Sequence, residues 1–228
     1  MKKALLWVRM IFYLVPMWIT AKKCKKENFD VRYGVGQIWC QKILKGTGHK
    51  IICDGQENIP ADKTVYFISN HQGSLDPFMF LANCPVPTTL ISKIENKKIP
   101  IIKDWMNTLE MVAFKREDVR DALRMVNEVT DKLKNGRNVI CYPEGTRSKK
   151  QEMNAFKAGS LKPAFKAQCT IVPVCMKNSY LIDVGGKNTN PVEIHFLKAL
   201  DYEDFKDMNT QELADLLQNR IAEVLNND

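Results

Sequence analysis

Two short stretches put chemistry-bearing side chains at the ends of apolar runs. The first is 64–80, TVYFISNHQGSLDPFMF. A strand-like run leads into Asn70-His71, then a Gly73-Ser74 turn, then Asp76-Pro77 and an apolar helical pattern. A histidine that activates a hydroxyl needs a carboxylate on Nδ1, which fixes the tautomer and leaves Nε2 as the base. On a continuous helix, residues five apart point away from one another, so His71 and Asp76 meet only across a turn. A second reading fits the same residues: Asp before Pro is a common helix start, and His71 is then a plain loop histidine.

The second stretch is 141–150, CYPEGTRSKK, again at the end of an apolar run. Pro143 and Gly145 shape a tight turn, while Glu144, Arg147, Lys149 and Lys150 put charge at one strand end. In an open α/β sheet, ligands collect beyond the carboxyl ends of the strands. An arginine fork there suits a phosphate, because it pairs with two oxygens at once. Taken alone, the stretch also reads as a solvated charged turn.

The elements that would position these residues are short β-rich runs. They are KIIC (50–53), TVYFIS (64–69), TTLIS (88–92), MVAFK (111–115), NVICYP (138–143), TIVPVCM (170–176) and VEIHFL (192–197). Helical patterns separate them. The strongest is 117–135, with Ala122, Met125, Val126, Val129 and Leu133 on one face and Gly136 as a stop. Alternation of this kind predicts an α/β fold, a largely parallel sheet flanked by helices. There is no repeat, low-complexity tract or interdomain linker.

The N-terminal end differs in texture. Residues 4–21 are mostly apolar, broken by Arg9 and Pro16 and flanked by lysines on both sides. Trp7 and Trp18 lie roughly 16 Å apart on a helix, too close to mark both faces of a hydrocarbon core about 30 Å thick. Basic residues at both ends fit a helix lying in or dipping into the cytoplasmic leaflet; a single span is the runner-up, and a signal peptide fits least. In a second helical stretch, Val31, Val35, Ile38, Trp39 and Ile43 recur before Gly46 and Gly48. It reads equally as a helix packed on the core or as half of a two-helix membrane-docking unit. We divide the chain into an N-terminal helical segment, 1–48, and an α/β body, 49–228.

Charge follows the same division. The net charge is +8, with +9 over the first fifty residues and −1 over the rest. The near-neutral body disfavours nucleic acid, and the basic end points to an anionic membrane surface. Seven cysteines without a CxxC pair read as reduced, buried residues of a cytosolic protein, and no His/Cys cluster has metal-ligand spacing. No G-x-S-x-G elbow accompanies Ser74.

Side by side, the two stretches resemble motifs of the glycerolipid acyltransferase family, which includes the 1-acyl-sn-glycerol-3-phosphate (lysophosphatidic acid) acyltransferases. NHQGSLD matches the family's NHxxxxD motif and YPEGTRS its FPEGTRS-type motif, in the same order and about seventy residues apart. EMVAFKR (110–116) resembles the family strand that ends in a phosphate-contacting arginine, here Arg116. FKAG (156–159) and TIVPVCM, with Pro173, resemble two later blocks. The likeness covers roughly residues 50–180. Glu110 departs from it, standing where the family usually has glycine.

The resemblance implies direct acyl transfer without an acyl-enzyme. His71 is then the general base on the acceptor hydroxyl, and Asp76 orients it. The donor is acyl-CoA or acyl-acyl carrier protein, the acceptor lysophosphatidic acid in a phospholipid bilayer, and the product phosphatidic acid, a step of phospholipid biosynthesis. Glu144, Gly145 and Thr146 are the expected acceptor and oxyanion contacts, Arg116 and Arg147 the expected phosphate ligands, and Lys93 and Lys157 their helpers. No metal and no cofactor beyond the co-substrate are expected. The expected location is the cytoplasmic face of a membrane. The alternatives are a different acceptor, such as glycerol-3-phosphate, another lysophospholipid or an aminolipid, and a non-catalytic membrane-binding protein on the same scaffold.

Overall fold

The computed structural model describes residues 14–115, 118–185 and 190–226. Within them seven strands form one sheet: β1 (Ile51–Asp54), β2 (Val65–Ser69), β3 (Thr88–Lys93), β4 (Val112–Phe114), β5 (Asn138–Cys141), β6 (Thr170–Lys177) and β7 (Val192–Phe196). The spatial order is β1-β7-β6-β2-β5-β3-β4. Every pairing is parallel except β6 with β7. Each of the seven apolar runs singled out in the sequence is a strand.

The central strands are apolar at consecutive positions because both faces are covered. Val65 and Phe67 of β2 face one core cluster, while Tyr66 and Ile68 face the other. On the second face lie α5 (Val119–Lys134), α6 (Lys162–Ala167) and α9 (Thr210–Asn226). Helix α5 begins on Asp118, whose carboxylate accepts from the N–H groups of Arg120 and Asp121. It buries Met125, Val126, Val129 and Leu133, as its pattern predicts, with Ala122 only half-buried.

The first face carries the helices that matter for the site. These are α1 (described over 14–24), α2 (Phe29–Thr47), α3 (Asp76–Asn83) and α4 (Pro100–Thr108). Met17 and Ala21 of α1, with Phe29, Tyr33 and Cys40 of α2, belong to the same core cluster as Phe67 and Phe80. Helix α2 clips onto the end of α3: Tyr33 Oη and Gln37 Nε2 both donate to the Cys84 carbonyl across 3.0 Å. Its buried stripe is Phe29, Tyr33, Gly36, Cys40, Ile43 and Leu44. That stripe is rotated from the predicted one, and Val31 and Ile38 are exposed.

Among the described residues no helix is long and apolar enough to cross a membrane. Residues 1–13, which include Trp7 and Arg9, lie outside the described residues. All seven cysteines are free thiols, six of them buried. The short helices α7 (Tyr180–Val184) and α8 (Tyr202–Phe205) complete the fold.

Candidate active site

Strands β2 and β5 are parallel neighbours, paired Tyr66 with Val139, Phe67 with Ile140 and Ile68 with Cys141. The register, continued three residues past Ile68, sets His71 level with Glu144. Both chemistry-bearing stretches therefore emerge at the same carboxyl edge of the sheet. Beyond β2 the chain makes a turn instead of entering a helix directly. Gly73 lies so close to α7 that a Cβ there would stand 2.7 Å from the Ser179 carbonyl oxygen. Only glycine fits that approach.

The turn folds Asp76 back on His71. Nδ1–H of His71 donates to Asp76 Oδ2 across 2.8 Å. The same oxygen accepts from the N–H groups of Gln72 (2.6 Å) and Gly73 (3.0 Å). Asp76 is fully buried. It opens α3, with Pro77 behind it, but caps nothing with its side chain; Leu75 holds the N-cap position. A helix does start at Asp76-Pro77, but Asp76 is not its cap, and His71 is paired rather than a plain loop histidine. A carboxylate acceptor on Nδ1 leaves Nε2 as the basic nitrogen.

Three further contacts fix the histidine. Its main-chain N–H donates to Glu144 Oε1 across 2.6 Å, and its carbonyl accepts from Ser148 N across 2.8 Å. Its ring stacks on Tyr142, centroids 4.4 Å apart at 30°. Burial pushes the Tyr142 hydroxyl well above its ordinary pKa, so the ring stays neutral beside the pair.

The expected site residues divide into two groups. His71, Lys93, Thr146 and Arg147 line a cleft of about 670 Å³, with Ser74 beside them. Arg147 is exposed, 3.8 Å from Asp183, and Lys93 is 3.6 Å from Glu95. Glu144 turns inward instead. It is 2% exposed, and its second oxygen accepts from Asn154 N across 2.8 Å. Burial raises its pKa, against the pull of those two N–H donors. Its carboxylate is therefore a main-chain anchor, not the acceptor contact expected of it. Gly145 takes φ +71°, and the Lys157 ammonium lies 2.9 Å from where its Cβ would be. Arg116 lies outside the described residues. Among the described residues no group of three His, Cys, Asp or Glu gathers as a metal site would.

Buried walls of the cleft come from Gly36 and Cys40 of α2, Leu81 of α3, and Trp105 and Leu109 at the end of α4. Exposed Ile99, Ile102, Thr146 and Arg147 form its rim. A polar edge holding a carboxylate-paired histidine and an arginine, beside an apolar slot, suits an amphiphile with an anionic head.

Three supporting residues were not singled out from the sequence. Fully buried Asn70 exchanges two hydrogen bonds with the Met176 backbone, Nδ2 to O at 2.9 Å and N to Oδ1 at 2.7 Å. That ties the end of β2 to β6. Gln72 reaches Gln151 O and Ser179 N. Asp183 accepts from Ser74 N across 2.8 Å and from the Ser74 hydroxyl. Asn70 and Gln72 lay inside the motif, so position was the available signal; Asp183 had none.

A family model described as Acyltransferase matches residues 50–177, more than half of the chain. The 1-acyl-sn-glycerol-3-phosphate acyltransferase of Borreliella burgdorferi is 27% identical over 190 residues, 82% of this chain and 76% of the relative. A Chlamydomonas reinhardtii protein of the same description is 33% identical over 182 residues, 78% of this chain and 53% of the relative. The chain thus spans about half of that longer protein. The crystal structure of the 1-acyl-sn-glycerophosphate (LPA) acyltransferase from Thermotoga maritima superposes with a TM-score of 0.73 at 22% identity, covering 98% of this chain and 99% of that one. At that identity the superposition bears on the fold, which the two share. The chain belongs to the acyltransferase family.

Proposed function

We propose that this protein transfers an acyl chain from a thioester, acyl-CoA or acyl-acyl carrier protein, to the sn-2 hydroxyl of 1-acyl-glycerol-3-phosphate, giving phosphatidic acid. The observation that carries the reading is the His71–Asp76 pair at the rim of an apolar cleft that Arg147 also lines. The relatives described as 1-acyl-sn-glycerol-3-phosphate acyltransferases support the choice of acceptor.

In this reading Nε2 of His71 takes the proton of the acceptor hydroxyl as its oxygen attacks the thioester carbonyl carbon. Asp76 holds the ring and stabilises the imidazolium that forms. The tetrahedral intermediate collapses with loss of the thiolate, and His71 returns the proton to that sulfur. In this reading main-chain N–H groups of the 144–147 turn favour the oxyanion, apart from that of Gly145, which donates to the Tyr142 carbonyl across 3.0 Å. Arg147, with Arg116, Lys93 and Lys157, takes the acceptor phosphate. The apolar cleft takes an acyl chain. Attachment to the cytoplasmic face of a membrane, through the basic and aromatic N-terminal segment, brings the site to its lipid acceptor.

The test is a purified chain given several acyl donors and several lysolipid acceptors, with products resolved by mass. Phosphatidic acid from lysophosphatidic acid, lost in His71→Ala with the fold intact, is the expected result. Thiol release that persists in His71→Ala would remove the histidine from the base role. Preferred acylation of glycerol-3-phosphate or an aminolipid would replace the acceptor.

A further inference from the structure

A second lysine-and-isoleucine surface lies far along the chain from the basic N-terminus. Residues 94–103, IENKKIPIIK, run from the end of β3 through the first turn of α4. Ile94, Ile99 and Ile102 are exposed, Ile99 to 49%. Lys97, Lys98 and Lys103 between and beside them are also exposed, and no ion pair engages them among the described residues. The segment's one acid, Glu95, is 3.6 Å from Lys93. Isolated exposed isoleucines are ordinary; three of them interleaved with three unpaired lysines are an amphipathic surface.

That surface continues into α1. Trp18 Nε1 donates to Asp104, and Thr108 Oγ1 donates to the Ala21 carbonyl across 3.1 Å. These pairs advance together, so α1 and α4 run side by side in the same direction. One turn earlier, Leu14 and Val15 come level with the start of α4, and both are exposed, Val15 to 58%. Lys22 and Lys23 lie in the last turn of α1, and Lys25 and Lys26 follow it. The cleft has Met17 of α1, Ile99 and, from α4, Ile102 among its lining. Apolar residues at the rim, ringed by unpaired positive charge, complement the headgroups and upper acyl region of an anionic leaflet.

We infer that residues 94–103 are a second membrane contact. Ile94, Ile99 and Ile102 enter the headgroup region of a bilayer carrying anionic lipid, and Lys97, Lys98 and Lys103 lie against its phosphates. With α1 on the other side, the two contacts seat the mouth of the cleft on the leaflet. The inference rests on the reading that the acceptor is a membrane lipid.

The experiment uses the full chain in vesicle flotation, with phosphatidylcholine alone and with phosphatidylcholine mixed with phosphatidylglycerol. The variants are K97E/K98E/K103E and Ile94→Ser, neither of which touches the His71 site or the cleft lining. The triple variant should partition about a hundredfold less onto the phosphatidylglycerol vesicles. Ile94→Ser should weaken partitioning onto both vesicle types. Transfer to a monomeric short-chain lysophosphatidic acid, measured without vesicles, should stay at the wild-type level in both and report a folded site. Unchanged flotation of both variants overturns the inference. So does unchanged flotation with loss of transfer from acyl carrier protein alone, which would assign the lysines to an acidic protein. Failure of the wild type to acylate the monomeric acceptor would instead sink the proposed reaction, because flotation is read without turnover.

Discussion

The main-chain N–H of His71 donates to Glu144 across 2.6 Å, so the two strand-end motifs are tied through a side chain that does not itself line the cleft. Glu144→Ala should leave the N–H groups of His71 and Asn154 buried without an acceptor, at a cost of about 1–3 kcal/mol each. Glu144→Gln keeps one good acceptor and should fall between. The pH dependence has a definite sign. Burial raises the Glu144 pKa in the folded state, so its contribution to stability is full below the unfolded pKa and is lost as pH rises through the folded one. The deficit of Glu144→Gln relative to wild type should be largest in acid and shrink on raising pH across that window. Denaturant midpoints measured against pH check it; a deficit independent of pH would mean that Glu144 does not titrate as its burial implies.

Asp76→Asn separates holding the histidine from charging it. The amide oxygen can sit where Oδ2 sits and accept from His71 Nδ1, Gln72 N and Gly73 N, so the fold and the tautomer should survive. What disappears is the negative charge facing the imidazolium. Turnover should drop by about 10²–10⁴-fold with little change in KM for either substrate. Steady-state kinetics together with a melting curve decide it. An equal loss through KM would place Asp76 in binding, not in charge stabilisation.

The sheet was legible in the sequence because β2, β5 and β6 are buried on both faces, which leaves uninterrupted runs such as NVIC and TIVPVCM. The His71–Asp76 contact was legible because Gly73 and Ser74 signal a turn at the one place where a helix would have kept the two apart. The sequence left open which face of α2 packs inward: Val31 and Ile38 suit a buried stripe by residue type, yet Tyr33, Gly36 and Cys40 are the ones that fit beside α3 and Trp105. The inward turn of Glu144 was equally out of reach, since a glutamate in a charged turn looks solvated until the neighbouring strand's N–H groups are in place. The 94–103 surface has no sequence signal of its own, because exposure is a property of the fold.

Gly36 forms part of the cleft wall, and its missing side chain is part of the slot. A Cβ there would lie 3.4 Å from Trp105 Cζ3 and 3.5 Å from Leu109 Cδ2, in contact but without a clash. The rest of a Gly36→Leu side chain must then enter the cleft. If the acyl chain occupies it, the longest accepted chains should lose about fourfold in kcat/KM for each methylene displaced, from ~0.8 kcal/mol per buried CH₂. Short chains should be unaffected. A donor series of increasing length, run on both proteins, reads the shift directly; a uniform loss at every length would place the acyl chain elsewhere.

Glu110 is the departure from the family's usual glycine, and its backbone explains the preference. It takes φ +51°, a left-handed conformation that glycine adopts freely and other residues adopt at a cost of roughly 1–2 kcal/mol. The carboxylate offsets that cost by gathering cations from three elements: Arg32 of α2 at 2.5 Å, and Lys132 of α5 and Arg137 before β5 at 3.8 Å each. Arg137 in turn lies 3.4 Å over the ring of Phe29 at the start of α2. Burial alone would raise the Glu110 pKa, but the Arg32 hydrogen bond and the Arg137 and Lys132 charges outweigh it and hold the pKa low. A lowered folded pKa contributes stability above the unfolded carboxyl value, and that stability is lost as pH falls through the folded one. Glu110→Ala keeps the strained backbone and loses the charges, so it should be the least stable variant. Glu110→Gly loses the charges but relaxes the backbone, and should lie within about 1 kcal/mol of wild type. Both should lack the part of the wild type's acid sensitivity that comes from this carboxylate. Thermal melts from acid to neutral pH test the order. If Glu110→Gly proves as unstable as Glu110→Ala, the positive φ is not what the family's glycine serves.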